Sequence, residues 1–286
     1  MNFCLNLDLN KNITLGGALT VRAECEILFR KFNFDEIFIK FHKEISAKKK
    51  SFLLDSIFQS SAYKYEEISD QNKAGLNWPP ENLKLNKNFE FHSFDRLVFL
   101  FKKYNLHPFL FWDEKIKKSA EKKMPINNTT IFVHTKYVSP YLVEESNTDW
   151  IIWEEFFELM YSLHPDITFC LMGDDSIGMS IEHKKNIVIA KNKELLLNEQ
   201  LYLASQSAGF LGMASGVCCA ANFSKVPYVI FKHPEHHKRE MLDELGQNET
   251  YEFSHSCQRL LRSNQSLDLF TQSFNMIKEY NEFKKN

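Results

Sequence analysis

No run of apolar residues in this chain approaches the roughly 18–20 needed to cross a bilayer, so no membrane-spanning helix is expected. The opening Asn2-Phe3-Cys4-Leu5-Asn6-Leu7-Asp8 has no basic stretch and is broken by polar residues, unlike a secretory signal. An excess of one charge is missing too. The 35 Lys+Arg and 37 Asp+Glu leave a formal net charge of -2, which gives no field-level reason to expect nucleic acid as a partner. The run Lys48-Lys49-Lys50 is short and reads as solvated surface. None of the six cysteines is spaced as C-x-x-C. Several lie in apolar runs such as Thr168-Phe169-Cys170-Leu171-Met172, where a free thiol behaves as a small core hydrophobe. A reducing cytoplasm is the simplest expectation. What is present is a 286-residue chain that is 44% hydrophobic, enough for a real core and for one large or two medium domains.

Strand and helix patterns alternate along the chain. Phe3–Leu9 reads as a strand, Asn10–Gly17 as a loop ending in Gly16-Gly17, Ala18–Phe32 as a helix and Asp35–Phe41 as a second strand. This is the opening of a doubly wound α/β domain. Ser51–Ser60 suggests a helix, and Asn77-Trp78-Pro79-Pro80 a turn. Phe94–Tyr104 and Asp113–Lys123 predict two more helices. A boundary falls near Met124–Asn128, dividing the chain into domains 1–125 and 126–286. Beyond it come a strand (Thr130–His134), a long loop (Thr135–Thr148), a helix (Asp149–Leu163) and a strand (Ile167–Met172) that ends in Gly173-Asp174-Asp175. Asn186–Ala190 is a short strand. Asn198–Ser205 is a helix with Asn198 as its expected N-cap. Gly209–Gly212 is a strand, Val217–Phe223 starts a helix, and Val226–Phe231 is a strand. The rest reads as mainly helical, closing with Leu267–Phe283.

Several features of the second half fall in a fixed order. A Trp-bearing helix (Trp153) follows the first strand. A glycine turn (Gly173) follows the next. A Ser-Gly turn (Ser215-Gly216) then leads to a small-residue helix (Ala220-Ala221) and a short strand with Pro227 near its start. This series resembles the C-terminal domain of the heptosyltransferase-like glycosyltransferases of glycosyltransferase family 9, over Thr130 to Phe231. Ile13-Thr14-Leu15-Gly16-Gly17-Ala18-Leu19 looks like that family's glycine-bearing acceptor-side loop. The resemblance implies an α/β fold of two Rossmann-like lobes, the GT-B architecture, with an interdomain cleft. It implies a metal-independent transferase with no cofactor beyond its donor. Such an enzyme moves a sugar from a nucleotide-sugar to a hydroxyl of a glycan or glycolipid. A lipid-borne acceptor would bring the protein to a membrane surface.

Elementary chemistry bears on the same residues. Unsatisfied N–H groups at a helix start, with the helix dipole, suit a diphosphate. The turn Ala214-Ser215-Gly216-Val217 is therefore the candidate diphosphate site, and an ordinary tight turn is the alternative. Lys136, just past Thr130–His134, can neutralise a phosphate as a point charge or be an exposed structural lysine. Gly173 and Asp174 follow a strand. Asp174 can hydrogen-bond a sugar hydroxyl or simply form the turn.

Three groups of the family pattern are absent. Ala214 stands where Asp is expected before Ser-Gly. Cys219 stands where His is expected after it. Gly17 follows Gly16 where an acidic residue, the usual base candidate, is expected. His92 and Asp95 are the substitute candidates for a base, although Ser93 as an N-cap would also explain Asp95. His233-Pro234-Glu235-His236-His237 matches no H-E-x-x-H zinc motif. The absences also admit another GT-B nucleotide-sugar enzyme, an epimerase or hydrolase, or a non-catalytic relative that binds a nucleotide or a partner protein.

Overall fold

The computed structural model describes residues 3–7, 14–42, 50–59, 63–68, 94–136, 147–173, 185–235, 245 and 249–283. The chain forms two compact units, Met1–Glu114 and Lys115–Asn286. Each has its own parallel sheet, one of three strands and one of six. The α/β class expected from the alternating pattern is what is found.

In the first unit, β1 (Phe3–Leu7), β2 (Ile37–His42) and β3 (Tyr63–Ile68) pair in that order, with Phe3 opposite Ile37 and Ile37 opposite Tyr63. Helix α1 (Leu15–Phe32) joins β1 to β2. It starts three residues before the expected Ala18, so Gly16-Gly17 belongs to its first turn and not to a loop. The cause is Thr14, whose hydroxyl accepts the Gly17 N–H at 3.1 Å and caps the helix. The helix stops at Asn33, a residue type that tolerates its left-handed φ of 49°. The segment expected to be helical at 51–60 is a π-helical turn, Phe52–Ile57. Helix α2 (Phe94–Tyr104) has the expected bounds. Strand β3 was not expected. Its exposed Lys64, Glu66 and Glu67 mark an edge strand, which shows little of the apolar pattern of a central one.

Every residue of α1 from Gly17 to Leu28 is buried, including Arg22, Glu24 and Glu26. These charges are satisfied in place. Arg22 Nε donates to Glu26 Oε1 at 2.7 Å and Nη1 to the Ile57 carbonyl at 2.6 Å, while Nη2 donates to the Phe111 carbonyl. Glu26 also accepts from the Tyr63 hydroxyl at 2.9 Å and the Phe111 N–H at 2.8 Å. Arg96 of α2 reaches Glu24 at 3.0 Å. The Arg22 guanidinium lies 4.8 Å from the Trp112 ring centroid. Burial raises the Glu26 carboxyl above its ordinary range, while Arg22 and the donors around it pull the other way.

In the second unit, α3 (Glu114–Lys123, beginning at the division), β4 (Thr130–His134), α4 (Trp150–Leu163), β5 (Thr168–Met172) and β6 (Ile187–Ile189) come first. Then follow α5 (Leu197–Ala204), β7 (Gly209–Met213), α6 (Cys219–Asn222), β8 (Tyr228–Lys232), β9 (Gln258–Arg262) and α7 (Leu267–Phe283). The sheet runs β6-β5-β4-β7-β8-β9, all parallel. Between β7 and α6 the chain makes a three-residue 3-10 turn, Gly216–Cys218, so the helix expected over Val217–Phe223 is shorter than foreseen. Asn198 is not the N-cap of α5. Leu196 holds that position, and Glu199 accepts its N–H at 2.7 Å. Strand β9 lies in a stretch expected to be helical. Gln258, Arg259 and Arg262 hide it from an apolar reading, and β8 recruits it as an edge.

The core of this unit is aromatic. Fully buried Trp153 packs among Phe156, Phe157, Phe231 and Phe270, with the Phe270 ring 4.3 Å away between centroids. Off-face contacts of this kind suit ring quadrupoles. Cys170, Cys218 and Cys219 are buried here, as Cys25 is in the first unit, while Cys257 is half-buried.

Replacing Arg22 by Met should leave Glu26 without its ion partner inside the first unit, a change that typically costs about 3–5 kcal/mol. Adding Glu26→Gln should restore a substantial part. Denaturant unfolding of the single and double variants measures this coupling, and strictly additive losses would contradict it.

Candidate functional site

From β4 the chain builds outward through β5 to β6, then returns to β7 on the other side of β4. Where strand order reverses in this way, the loops at the strand carboxyl ends diverge and leave a crevice for ligands. Here the two loops are His134-Thr135-Lys136 and Met213-Ala214-Ser215. The strands pass very close. A Cβ on Gly212 would lie 2.7 Å from the His134 carbonyl oxygen, so only glycine fits. His134 is buried, with Nδ1 3.4 Å from the Met172 carbonyl. Gly173 follows β5 with φ 92°, a conformation open to glycine, and an added Cβ would sit 3.3 Å from His134 Nδ1. Its N–H donates to Gln200 Oε1 at 2.9 Å.

The turn after β7 is largely satisfied within itself. Ser215 Oγ accepts the Val217 N–H at 3.3 Å, and the Ser215 carbonyl accepts the Cys218 N–H at 3.2 Å. The Ala214 N–H pairs with the Phe231 carbonyl at 2.8 Å. Among the described residues the Gly216 N–H has no acceptor, whereas the Ser215 N–H and hydroxyl both reach the Cys218 sulfur, and residues 215 and 216 are half-buried. Gly216 does not adopt a left-handed φ, so backbone torsion does not demand glycine there. The helical stretch behind the turn is short, and attraction for an anion rests on the Gly216 N–H more than on a long-helix dipole.

Lys136 is tied to the far end of its loop: its N–H donates to Thr148 Oγ1 at 2.6 Å, and its carbonyl accepts the Thr148 N–H at 2.8 Å. Its positive charge is felt at both His134 and Cys218, though burial dominates at each. Lys136, Gly173 and the turn Ala214-Ser215-Gly216-Val217 thus emerge side by side, after the adjacent strands β4, β5 and β7. Asp174 lies outside the described residues, as does His92. Asp95 sits half-buried in the first turn of α2, in the other unit, where an acidic side chain suits the helix dipole.

Sequence reasoning missed a pocket of about 480 Å³ at the same end of this sheet. It is bounded by Asn147, Thr148 and Asp149 before α4, by Met213 of β7, by His233 after β8, and by Ser263, Asn264 and Gln265 after β9. His233 alone had drawn notice, as part of a histidine-rich loop. The others come from segments that only the folded sheet brings together. Gln265 braces this end: its Oε1 accepts from the Asp149 N–H at 3.0 Å and from Trp153 Nε1 at 3.2 Å, and its Nε2 donates to the Asn147 carbonyl at 2.8 Å.

Burial lowers the His134 pKa from 6.5 to about 4. The unfolded chain therefore binds a proton that the folded one refuses as pH falls from 6.5 towards about 4. Stability from this residue is full above pH 6.5 and is lost across that window, on the order of 3 kcal/mol at about 1.4 kcal/mol per unit. His134→Gln should flatten this part of the stability–pH curve. An unchanged slope in urea titrations would contradict the assignment.

No protein-family model matches the sequence, and no curated protein sequence does so either. Solved structures do match. The Escherichia coli ADP-heptose LPS heptosyltransferase II superposes with TM-score 0.56 and 11% identity, over 100% of this chain and 99% of that one. The family 9 glycosyl transferase from Veillonella parvula gives TM-score 0.51 and 9% identity, over 96% and 88%. The E. coli heptosyltransferase WaaC with ADP gives 0.50 and 10%, over 98% of each. At this identity the likeness speaks for the fold: the chain is folded like the heptosyltransferases of glycosyltransferase family 9.

Proposed function

We propose that this protein is a glycosyltransferase of GT-B type. Its second unit would hold the diphosphate of a nucleotide-sugar, and the sugar would pass to a hydroxyl of a glycan or glycolipid. The observation that carries the reading is the half-buried turn beside the switch point, where the Gly216 N–H has no acceptor among the described residues, with Lys136 just past the neighbouring strand. The Ser215 hydroxyl lends its oxygen to Val217 and turns its proton to the Cys218 sulfur, a weak acceptor that a phosphate oxygen would replace. Fixed donors and a cation stabilise the charge that builds on a departing diphosphate, with no metal required. The likeness to a heptosyltransferase solved with ADP supports the same ligand class. In this reading the first unit is the acceptor lobe, and His92 or Asp95 takes the acceptor's proton. The enzyme works in the cytoplasm, and a lipid-borne acceptor draws it to the membrane surface.

A second reading has one observation in its favour. Where the family pattern places Asp and His, this chain has Ala214, which carries no polar group, and a buried Cys219. A non-catalytic relative would keep the nucleotide site and lose turnover. Donor hydrolysis, measured with and without candidate acceptor glycans, separates the two.

Ser215→Ala should weaken nucleoside diphosphate binding by a few-fold to about a hundredfold, the range for one hydrogen bond to a neutral or charged partner. Gly216→Val should weaken it more, because a branched side chain would fill the space beside the donors. Calorimetric titration of nucleoside diphosphates into both folded variants tests this. Unchanged affinity in Gly216→Val would reduce the turn to a purely structural one.

A further inference from the structure

We propose that this chain associates with itself head to tail, a basic aromatic face of the first unit in one copy meeting the acidic outer face of α4 in a second copy. The first face forms where the ends of α1 and α2 meet, with Phe32 edge-on to Tyr104 at 5.8 Å between centroids. Each helix carries two cations in its last turn, Arg30 and Lys31 on α1 and Lys102 and Lys103 on α2. Lys31 and Lys103 lie 5.4 and 5.3 Å from the Tyr104 ring centroid, and neither has a carboxylate partner among the described residues. The segment 105–111 extends the face. Arg30 Nη2 donates to the His107 carbonyl, and its guanidinium lies 5.5 Å from the Phe111 ring centroid. Phe32 is 49% exposed and Phe111 44%. No Asp or Glu occurs in residues 27–34 or 96–112. Cations at helix carboxyl ends are ordinary partners of the dipole, and a single exposed ring needs no explanation. Cations interleaved with several exposed rings on one surface are the composition of an interface, where aromatic residues and Arg carry much of the binding energy.

The second face has the complementary chemistry. From Asp149 to Asp166 the chain has five carboxylates and no Lys or Arg. Ile151, Glu155 and Glu158 follow one exposed side of α4 at i, i+4 and i+7. Ile151 is 71% exposed, Leu163 at the other end is 57% exposed, and Tyr161 is exposed as well. The inner side of α4 fills the aromatic core, and these three residues take no part in that core.

An anionic lipid surface would suit the first face and repel the second. A second copy accounts for both at once, setting carboxylates against cations and aliphatic side chains against rings. Because the two faces differ, the contact is heterologous. Each pairing leaves one face of each kind open, so copies add head to tail. The contact involves neither the turn after β7 nor the residues near it, and it stands apart from the glycosyltransferase reading.

Analytical ultracentrifugation of the full chain tests this. At low ionic strength the mass should rise with protein concentration to that of a dimer or larger. In about 1 M salt, where the screening length is about 3 Å, it should fall back towards the monomer. Lys31→Glu combined with Lys103→Glu should weaken self-association at least about tenfold, because like charges then face each other. Glu155→Lys combined with Glu158→Lys should do the same. All four changes in one chain exchange the signs of the two faces and should restore association. The four positions are exposed, so each variant should fold, and circular dichroism checks that it does. A monomer at every concentration overturns the proposal, as does a fourfold variant that associates no better than either pair. A wild-type protein that stays monomeric but binds phosphatidylglycerol vesicles through Lys31 and Lys103 would assign the first face to a membrane and overturn the proposal too.

Discussion

At Gly212 the second sheet has no room for a side chain. The backbone of β7 runs so close to β4 at His134 that a single added carbon would meet a carbonyl oxygen, and much of the site follows from that contact. It joins the two halves of the sheet at the point where strand order reverses. It also buries the His134 imidazole in a slot whose other side is Gly173, held to glycine by its torsion. With the strands locked together here, the loops beyond them have to splay. Lys136 leaves on one side and Ser215 on the other, and both stay fixed relative to one core. Interiors packed at crystal-like density transmit such a constraint without slack.

The parts of this fold legible in the sequence were those whose pattern is local. Helices Phe94–Tyr104 and Leu267–Phe283 and strand Thr130–His134 carry a clean periodicity or an unbroken apolar run, and all were read to the residue. Strands β3 and β9 were missed because they are edge strands rich in polar residues, and their pairing is decided by a neighbouring strand. The start of α1 was misread because Gly16-Gly17 signals a loop unless the capping of Thr14 is weighed against it. At the site, the Ser-Gly turn stood out as a short pattern. The sequence could not show that Val217 and Cys218 turn their N–H groups back onto Ser215, leaving the Gly216 N–H for a ligand. The pocket left less trace still, since its walls come from four separated segments with no shared motif.

The two units solve the problem of a buried helix in different ways. In the second, α4 presents Trp153, Phe156, Phe157 and Met160 to a wholly apolar core. In the first, α1 carries Arg22, Glu24 and Glu26 inward, and each meets a partner there. Buried ion pairs add little net stability, because desolvation offsets attraction. They do restrict geometry: Arg22 has to meet Glu26, Ile57 and Phe111 together. That ties the extended segment before α3 to α1 in one arrangement, where an apolar contact would tolerate several.

The cysteines have a practical bearing on how this protein can be handled. Burial raises the thiols of Cys25, Cys170 and Cys218, the last to about 11. Thiolate, and not thiol, attacks alkylating reagents and oxidants, so these three are nearly inert at neutral pH while the fold holds. Cys257 is the half-buried exception among the described cysteines. It stands immediately before β9, whose far end opens on the pocket. A maleimide dye would therefore mark one position of the native second unit, at the start of the strand that leads to Ser263 and Asn264. Fast labelling of the other three would report unfolding.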